Sequence, residues 1–395
     1  MEQELRISQR AKQYPASGIR KMFDLAAQYP EAIKLTVGEP NFDTPQYIKD
    51  AAKRALDEGQ THYAPNAGTT ELREAVAAKY RKQYWEGYTK DHVIITVGAM
   101  EGLFLAMMTL LDPGDEILVP DPCFPNYYGQ ASSIGARAVP VPTYEEYDYR
   151  IQAADIEKAV TPRTRAILLN SPCNPTGAVL TKEDILAIAK VAKTHDLWVL
   201  TDEPYDAIVY DGIQPYSMAQ VPEMQDRVMV LNSFSKSYAM TGWRVGFACA
   251  NDVIAKVMGN FLSHSTGAPS SISQKAAVAA LEGPQGEVES MRKAFEERRN
   301  YIVSRMNAIN GISCIKPEGA FYVMMNMEKL VGKTIHGEVI RDSDDFSAAF
   351  LKHGLVATVP CTGFGAPNYV RWSYATSMDN IKKGLDRLEQ FLQDA

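Results

Sequence analysis

The segment from Ser233 to Phe247, SFSKSYAMTGWRVGF, gathers an amine (Lys236), two hydroxyls (Ser233, Ser235) and a guanidinium (Arg244). It follows an apolar run, Val228 to Leu231, and leads into another, Val245 to Ala250. A lysine just past a buried strand is partly desolvated, which lowers its pKa from about 10.4 and makes it a usable nucleophile. The hydroxyls and the guanidinium suit a phosphate dianion. A surface loop with a solvated lysine fits the same residues, so the other candidates must decide.

Those candidates also follow apolar runs. Gly98-Ala99-Met100 joins a predicted strand to a helix N-terminus, where free backbone N–H groups form either an anion site or an ordinary turn. Asn174-Pro175-Thr176-Gly177 fits a plain turn, or a loop whose Asn174 donates to a ligand oxygen. Asp202-Glu203-Pro204-Tyr205 places a carboxylate beyond a buried run, as a helix cap or as the partner of a protonated ring nitrogen. Phe124 is either core or a stacking surface for a flat ring. Arg371 shares a strand face with Ser373, opposite Val370, Trp372 and Tyr374, and suits a salt bridge or a bidentate carboxylate clamp. An amine, an anion cup and an acid for a ring nitrogen are together what pyridoxal phosphate needs.

The elements that must position these groups alternate. Val93 to Val97, Glu116 to Pro120, Arg165 to Leu169, Leu197 to Thr201 and Val228 to Leu231 predict strands. Thr70 to Gln83, Gly98 to Leu111 and Lys182 to Thr194 predict helices, and Thr61 to Gly68 (THYAPNAG) a loop. Continuous apolar strands between helices predict a mostly parallel sheet covered on both faces, with its ligand beyond the carboxyl ends of the strands. After about Gly283 an α+β layer is expected. It comprises a charged helix Gly286 to Asn307, strands Ile312 to Lys316, Phe321 to Met325, Leu355 to Val359 and Tyr369 to Tyr374, and helices Asp345 to His353 and from Asp379. Met1 to Tyr29 reads as an arm and a helix. The expected division is a large domain over 45–283 and a small one from 1–44 with 284–395.

Composition narrows the classes. The chain has 395 residues, 46% hydrophobic and 23% charged, with 41 basic against 48 acidic side chains and a net charge of −7. That balance argues against nucleic acid or anionic lipid as a partner. No apolar run approaches the roughly 18 residues of a membrane span, and the N-terminus has no apolar signal core. Five scattered cysteines and six histidines form no disulfide or zinc pattern, so a cytoplasmic setting is expected.

From Leu35-Thr36-Val37-Gly38-Glu39-Pro40 to Tyr369-Val370-Arg371-Trp372-Ser373 the sequence resembles the class I aminotransferases of fold type I, in the group with bacterial aspartate and aromatic aminotransferases. The Ser233 to Gly246 block is the most specific motif, followed by NPTG and DE-x-Y. The resemblance implies an α/β fold: a mostly parallel, seven-stranded-type sheet covered by helices, with a smaller α+β domain. It implies pyridoxal 5'-phosphate on Lys236, which also shuttles the substrate proton. Asp202 would be the ring-nitrogen partner, with Asn174 and Tyr205 at the ring hydroxyl. Ser233, Ser235, Arg244 and the Gly98–Ala99–Met100 turn would form the phosphate cup, with Phe124 stacked on the ring. Gly38 and Arg371 would hold the α-carboxylate, with Phe124 and Asn174 nearby. Tyr63 would reach the phosphate of a neighbouring subunit, implying a homodimer with a shared site. The implied reaction is ping-pong amino-group transfer between an L-amino acid, aspartate or an aromatic or apolar one, and a 2-oxo acid such as 2-oxoglutarate. Met100 stands where some aspartate-accepting relatives carry lysine. A C–S β-lyase on the same fold is the rival enzyme, and a non-catalytic regulator domain is a rival of another class.

Overall fold

A computed structural model describes residues 7–8, 22 and 24–393, so most of the expected N-terminal arm and helix lies outside the described residues. Strand β1 (Ile33–Lys34) precedes helices α1 (Gln46–Asp57) and α2 (Thr70–Gln83). Then come β2 (Val93–Thr96), α3 (Gly98–Leu110), β3 (Glu116–Asp121), α4 (Asn126–Ser133) and β4 (Arg137–Pro142). The alternation continues through α5 (Ala153–Ala159), β5 (Thr164–Asn170), α6 (Lys182–Thr194), β6 (Trp198–Asp202), β7 (Val228–Ser233) and β8 (Gly246–Cys249). Helix α6 shows why such segments start where they do: Thr181 and Asp184 form a reciprocal capping box at its N-terminus.

These strands form one seven-stranded sheet in the order β2-β8-β7-β6-β5-β3-β4. All neighbours run parallel except β8, which is antiparallel to both β2 and β7. Side-chain alternation sends Ile95, Ile167, Val199 and Val230 into one core and Ile94, Leu168, Leu200 and Leu231 into another, on the opposite face. Helices cover both faces, as expected for strands that are apolar throughout.

Helices α7 (Asp252–Ser265), α8 (Ser271–Glu282) and α9 (Gly286–Asn307) lead to the second layer. There β9 (Ser313–Cys314), β10 (Tyr322–Asn326), the hairpin β11 (Thr334–Ile335) and β12 (Glu338–Val339), and α10 (Ser343–Gly354) come in turn. The chain closes with β13 (Val356–Ala357), β14 (Val359–Pro360), β15 (Tyr369–Ser373) and α11 (Met378–Leu392). The run Leu355 to Val359, expected as one strand, divides: β13 pairs with β1, and β14 joins the sheet β14-β15-β10-β9. Leu355 is in the left-handed conformation where α10 ends, so extended pairing begins only after it. A third core under this sheet holds Val370, Trp372 and Tyr374, and takes in Leu35, Tyr205 and Tyr210 from earlier in the chain. The segment after β6 therefore packs against both layers, which brings Asp202 and Arg371 to one place.

Candidate active site

Three parallel strands end side by side, placing Asn170, Asp202 and Ser233 at one rim of the large sheet. A cavity of about 280 Å³ opens there, and Arg371 of β15 closes it from the second layer. Ala99, Met100, Phe124, Asn174, Asp202, Tyr205, Ser233, Ser235, Lys236, Arg244 and Gly38 also line it. Residues scattered between positions 38 and 371 thus meet in one hollow.

Lys236 Nζ donates to the carbonyl of Gly38. Burial lowers its pKa from the ordinary lysine value to about 8. Glu39 pulls the other way, while Arg244 and Arg371 add to the depression. A far larger fraction of this amine is therefore uncharged near neutral pH than in an ordinary lysine, although the ammonium form still predominates at pH 7.

Asp202 is buried, and Tyr127 Oη donates to its Oδ2 at 2.7 Å. Oδ1 is also buried and has no hydrogen-bond partner among the described residues. Burial pushes this carboxyl up to about 7, against the Tyr127 bond and the nearby Lys236. A cation at Oδ1 would restore the carboxylate and satisfy the orphaned oxygen. The chain continues from Asp202 into a turn, so this residue caps no helix.

Arg371 is 3% exposed, with its guanidinium 4.4 Å from the Tyr322 ring centroid and 5.1 Å from that of Phe364. It donates from Nη1 to Asn174 Oδ1 at 2.8 Å and from Nη2 to the Thr36 carbonyl at 3.2 Å. Both acceptors are neutral, and Nε has no partner among the described residues. A buried cation held only by neutral groups is suited to an anionic ligand. Asn174 spends its Oδ1 on Arg371, which leaves its amide N–H groups to donate into the cavity.

The N-terminus of α3 has no side-chain cap, and Ala99 and Met100 present this end to the cavity. Gly98 stands behind them rather than on the cavity wall. Its φ is +73°, and a Cβ there would come within 2.7 Å of Arg244 Nη2, so glycine lets the guanidinium lie against the turn. Arg244 Nη1 donates to the Thr241 carbonyl at 3.0 Å. Ser235 N donates to Ser233 Oγ at 3.3 Å, which folds the two hydroxyl residues into one curl.

Phe124 lines the cavity and packs edge-on against Tyr127, with centroids 5.7 Å apart. Tyr63 is fully exposed and is not part of this chain's cavity. Sequence reasoning missed Tyr127 and Tyr322. Tyr322 shares a hydrogen bond of 2.9 Å with Tyr205, and its hydroxyl lies 3.0 Å from where a Gly38 Cβ would stand. The spacing Phe124-x-x-Tyr127 at the start of a helix was an available signal for the first. For the second, only pairing between β10 and β15 could have revealed it.

These residues fit pyridoxal phosphate: an amine, an uncapped helix end beside the Arg244 guanidinium, and a buried carboxylate oxygen lacking its cation. Residues 30–388 match the family model "Aminotransferase class I and II". The chain is 41% identical to "Aromatic-amino-acid aminotransferase 2" of Thermococcus litoralis, over 98% of each chain. It is 39% identical to an aspartate aminotransferase of Geobacillus stearothermophilus, over 98% of this chain and 95% of that one. The crystal structure of the aspartate aminotransferase from Rhizobium meliloti superimposes with a TM-score of 0.96, at 37% identity and 99% coverage of both chains. A likeness of this length, in chains whose fold agrees as well as their sequence, leaves one assignment: this protein belongs to the class I and II aminotransferases, pyridoxal-phosphate enzymes that transfer amino groups.

Proposed function

We propose that Lys236 anchors the cofactor, that Asp202 pairs with its ring nitrogen, and that Asn174 and Tyr205 bond its ring hydroxyl. Ser233, Ser235, Arg244 and the Ala99 and Met100 amides hold the phosphate, with Gly98 backing the turn, and Phe124 covers the ring. Gly38 and Arg371 receive the substrate α-carboxylate. The observation that carries this reading is the buried, unpartnered Asp202 Oδ1 in the same cavity as Lys236 and Arg371. Bound pyridoxal phosphate supplies an electrophilic carbon and an electron-poor ring that takes up charge left at the substrate Cα. Lys236 Nζ would take the substrate Cα proton, a task suited to an amine whose pKa is lowered toward neutral. Tyr127 holds the Asp202 carboxylate in orientation, and Arg371 fixes the substrate by its carboxylate.

The proposed donors are aspartate and large apolar or aromatic amino acids, with 2-oxoglutarate as acceptor. Similar chains carry both aspartate and aromatic names. The cavity's cations, Lys236, Arg244 and Arg371, each have another task, while Met100, Leu103 and Phe124 form an apolar wall. Phenylalanine should therefore exceed alanine in kcat/KM by about ten- to a hundredfold, corresponding to about 1.5–3 kcal/mol for a buried aromatic side chain. A donor panel with phenylalanine, aspartate, alanine and lysine checks this. Turnover of aspartate alone would contradict the apolar wall.

The functional unit proposed is a cytoplasmic homodimer in which Tyr63 of each protomer completes the other's phosphate cup. Its support is the full exposure of Tyr63, which does not line its own chain's cavity. The five cysteines are free and buried, in keeping with a reducing compartment, and no described helix is long and apolar enough to cross a membrane. Mixed Lys236→Ala and Tyr63→Ala chains should form hybrids with activity above either parent. Proven subunit exchange without recovery would mean that each chain carries its own complete site. The proposed domain division remains 45–283 against 1–44 with 284–395, in keeping with the separate sheets and cores.

A further inference from the structure

Lys236 sits in a loop anchored in the core by Phe234, Tyr238 and Met240. Behind it lies a hollow of about 240 Å³, bordered by Phe42, Ser237, Ala239 and Met291. A second hollow of about 310 Å³, bordered by Tyr84, Glu203, Asp206 and Ser217, opens behind the turn that follows Asp202. Between these spaces the lysine loop and that turn are tied by polar contacts. Ser237, next in sequence to Lys236 and 2% exposed, donates from Oγ to Asp206 Oδ1 at 3.0 Å. Lys79 of α2 donates to the other oxygen, Oδ2, at 2.8 Å. Asp206 belongs to the turn that follows Asp202 and carries Tyr205, and its N–H donates to the Glu203 carbonyl at 3.2 Å. Glu203 is itself fixed by hydroxyls from Thr201, Ser217 and Tyr84 at 2.8, 2.6 and 3.0 Å. Neither Lys79, Glu203, Asp206 nor Ser237 lines the active-site cavity.

We propose that Asp206 is a positioning residue: through Ser237 it sets where the Lys236 amine stands relative to Asp202, with Lys79 as its counter-ion. The carboxylate accepts from the serine on one oxygen and from the ammonium on the other, so it can bridge only while both partners stay in place. The other titratable groups around this clasp include Glu203, Tyr80, Tyr84, Tyr238 and Cys249. The inference rests on Lys236 being the cofactor lysine. That assignment fails if Lys236→Ala keeps wild-type turnover, whereas failure of the clasp alone would leave Lys236 essential.

The test uses the holoenzyme with three changes: Asp206→Ala, Ser237→Ala, and the pair Asp206→Asn with Lys79→Gln. The first two release the loop, and kcat should fall about tenfold with KM within about twofold, as expected for misplacement of a reacting group. The pH midpoint of the bound cofactor's visible absorbance should move upward in both. A loosened lysine nitrogen is better hydrated, which favours its charged form. The double variant keeps an acceptor for Ser237 and removes both charges, so kcat and midpoint should return close to wild type. Ser237→Ala deletes only a hydroxyl and decides the matter if Asp206→Ala does not fold. A folded Ser237→Ala enzyme with wild-type kcat and midpoint would overturn the proposal. So would a double variant as impaired as Asp206→Ala, since charge rather than placement would then be at work.

Discussion

Lys236→Ala protein should lose transamination and the visible absorbance of covalently bound cofactor, while remaining folded. The amine serves twice, as the covalent anchor and as the base at Cα. A positioned base alone contributes about a hundred- to ten-thousandfold, so kcat should fall by at least about a thousandfold with both functions gone. The fold should tolerate the change because burying this amine is a cost: its lowered pKa reflects an ammonium form disfavoured by desolvation. Thermal unfolding should therefore start no earlier than in wild type, measured without cofactor. A variant that turned over substrate at the wild-type rate would remove Lys236 from the mechanism.

Arg371→Ala should weaken every substrate by similar factors, because every donor and acceptor carries the α-carboxylate. A bidentate, charge-assisted contact contributes about 1.5–3 kcal/mol, which makes the loss in kcat/KM about ten- to a hundredfold or more. Arg371→Lys should recover little of it. The planar group lies between the Tyr322 and Phe364 rings while bonding Asn174 and Thr36, and a lysine ammonium cannot make that set of contacts. The check is kcat/KM for an acidic, an aromatic and a small donor. A loss confined to acidic donors would move Arg371 from the shared carboxylate to the side chain.

Much of this site was legible because its residues come directly after strands that are apolar throughout. Val228 to Leu231 announces a buried strand, and the residues just beyond such a strand must lie at the sheet's rim, which is where Ser233, Ser235 and Lys236 stand. Arg371 was placed by alternation alone, with Val370 and Trp372 in the core behind it. Pairing was not legible. Val245 to Ala250 reads as a strand, yet nothing local says that β8 runs antiparallel between β7 and β2. Strand β4 escaped notice because its sequence, RAVPVP, carries two prolines; it tolerates them at the edge of the sheet, where one side needs no donor. Helices α4, α5, α7 and α8 were also missed. In α8 the run of small residues in SISQKAAVAALE gives a weak amphipathic signal although much of it is buried. Tyr127 and Tyr322 were missed for a related reason. Each is an aromatic in a buried stretch, and only contact with Asp202 or Arg371 separates it from core.

The most direct test of the central claim is to locate the cofactor's covalent bond. Borohydride reduction of the holoenzyme fixes a lysine–pyridoxal linkage, and peptide mass spectrometry then finds it. The account predicts one modified lysine, Lys236, in the peptide containing Ser233 and Ser235, with loss of activity in proportion to its labelling. Labelling at a different lysine, or full activity in protein reduced and labelled at Lys236, would contradict it.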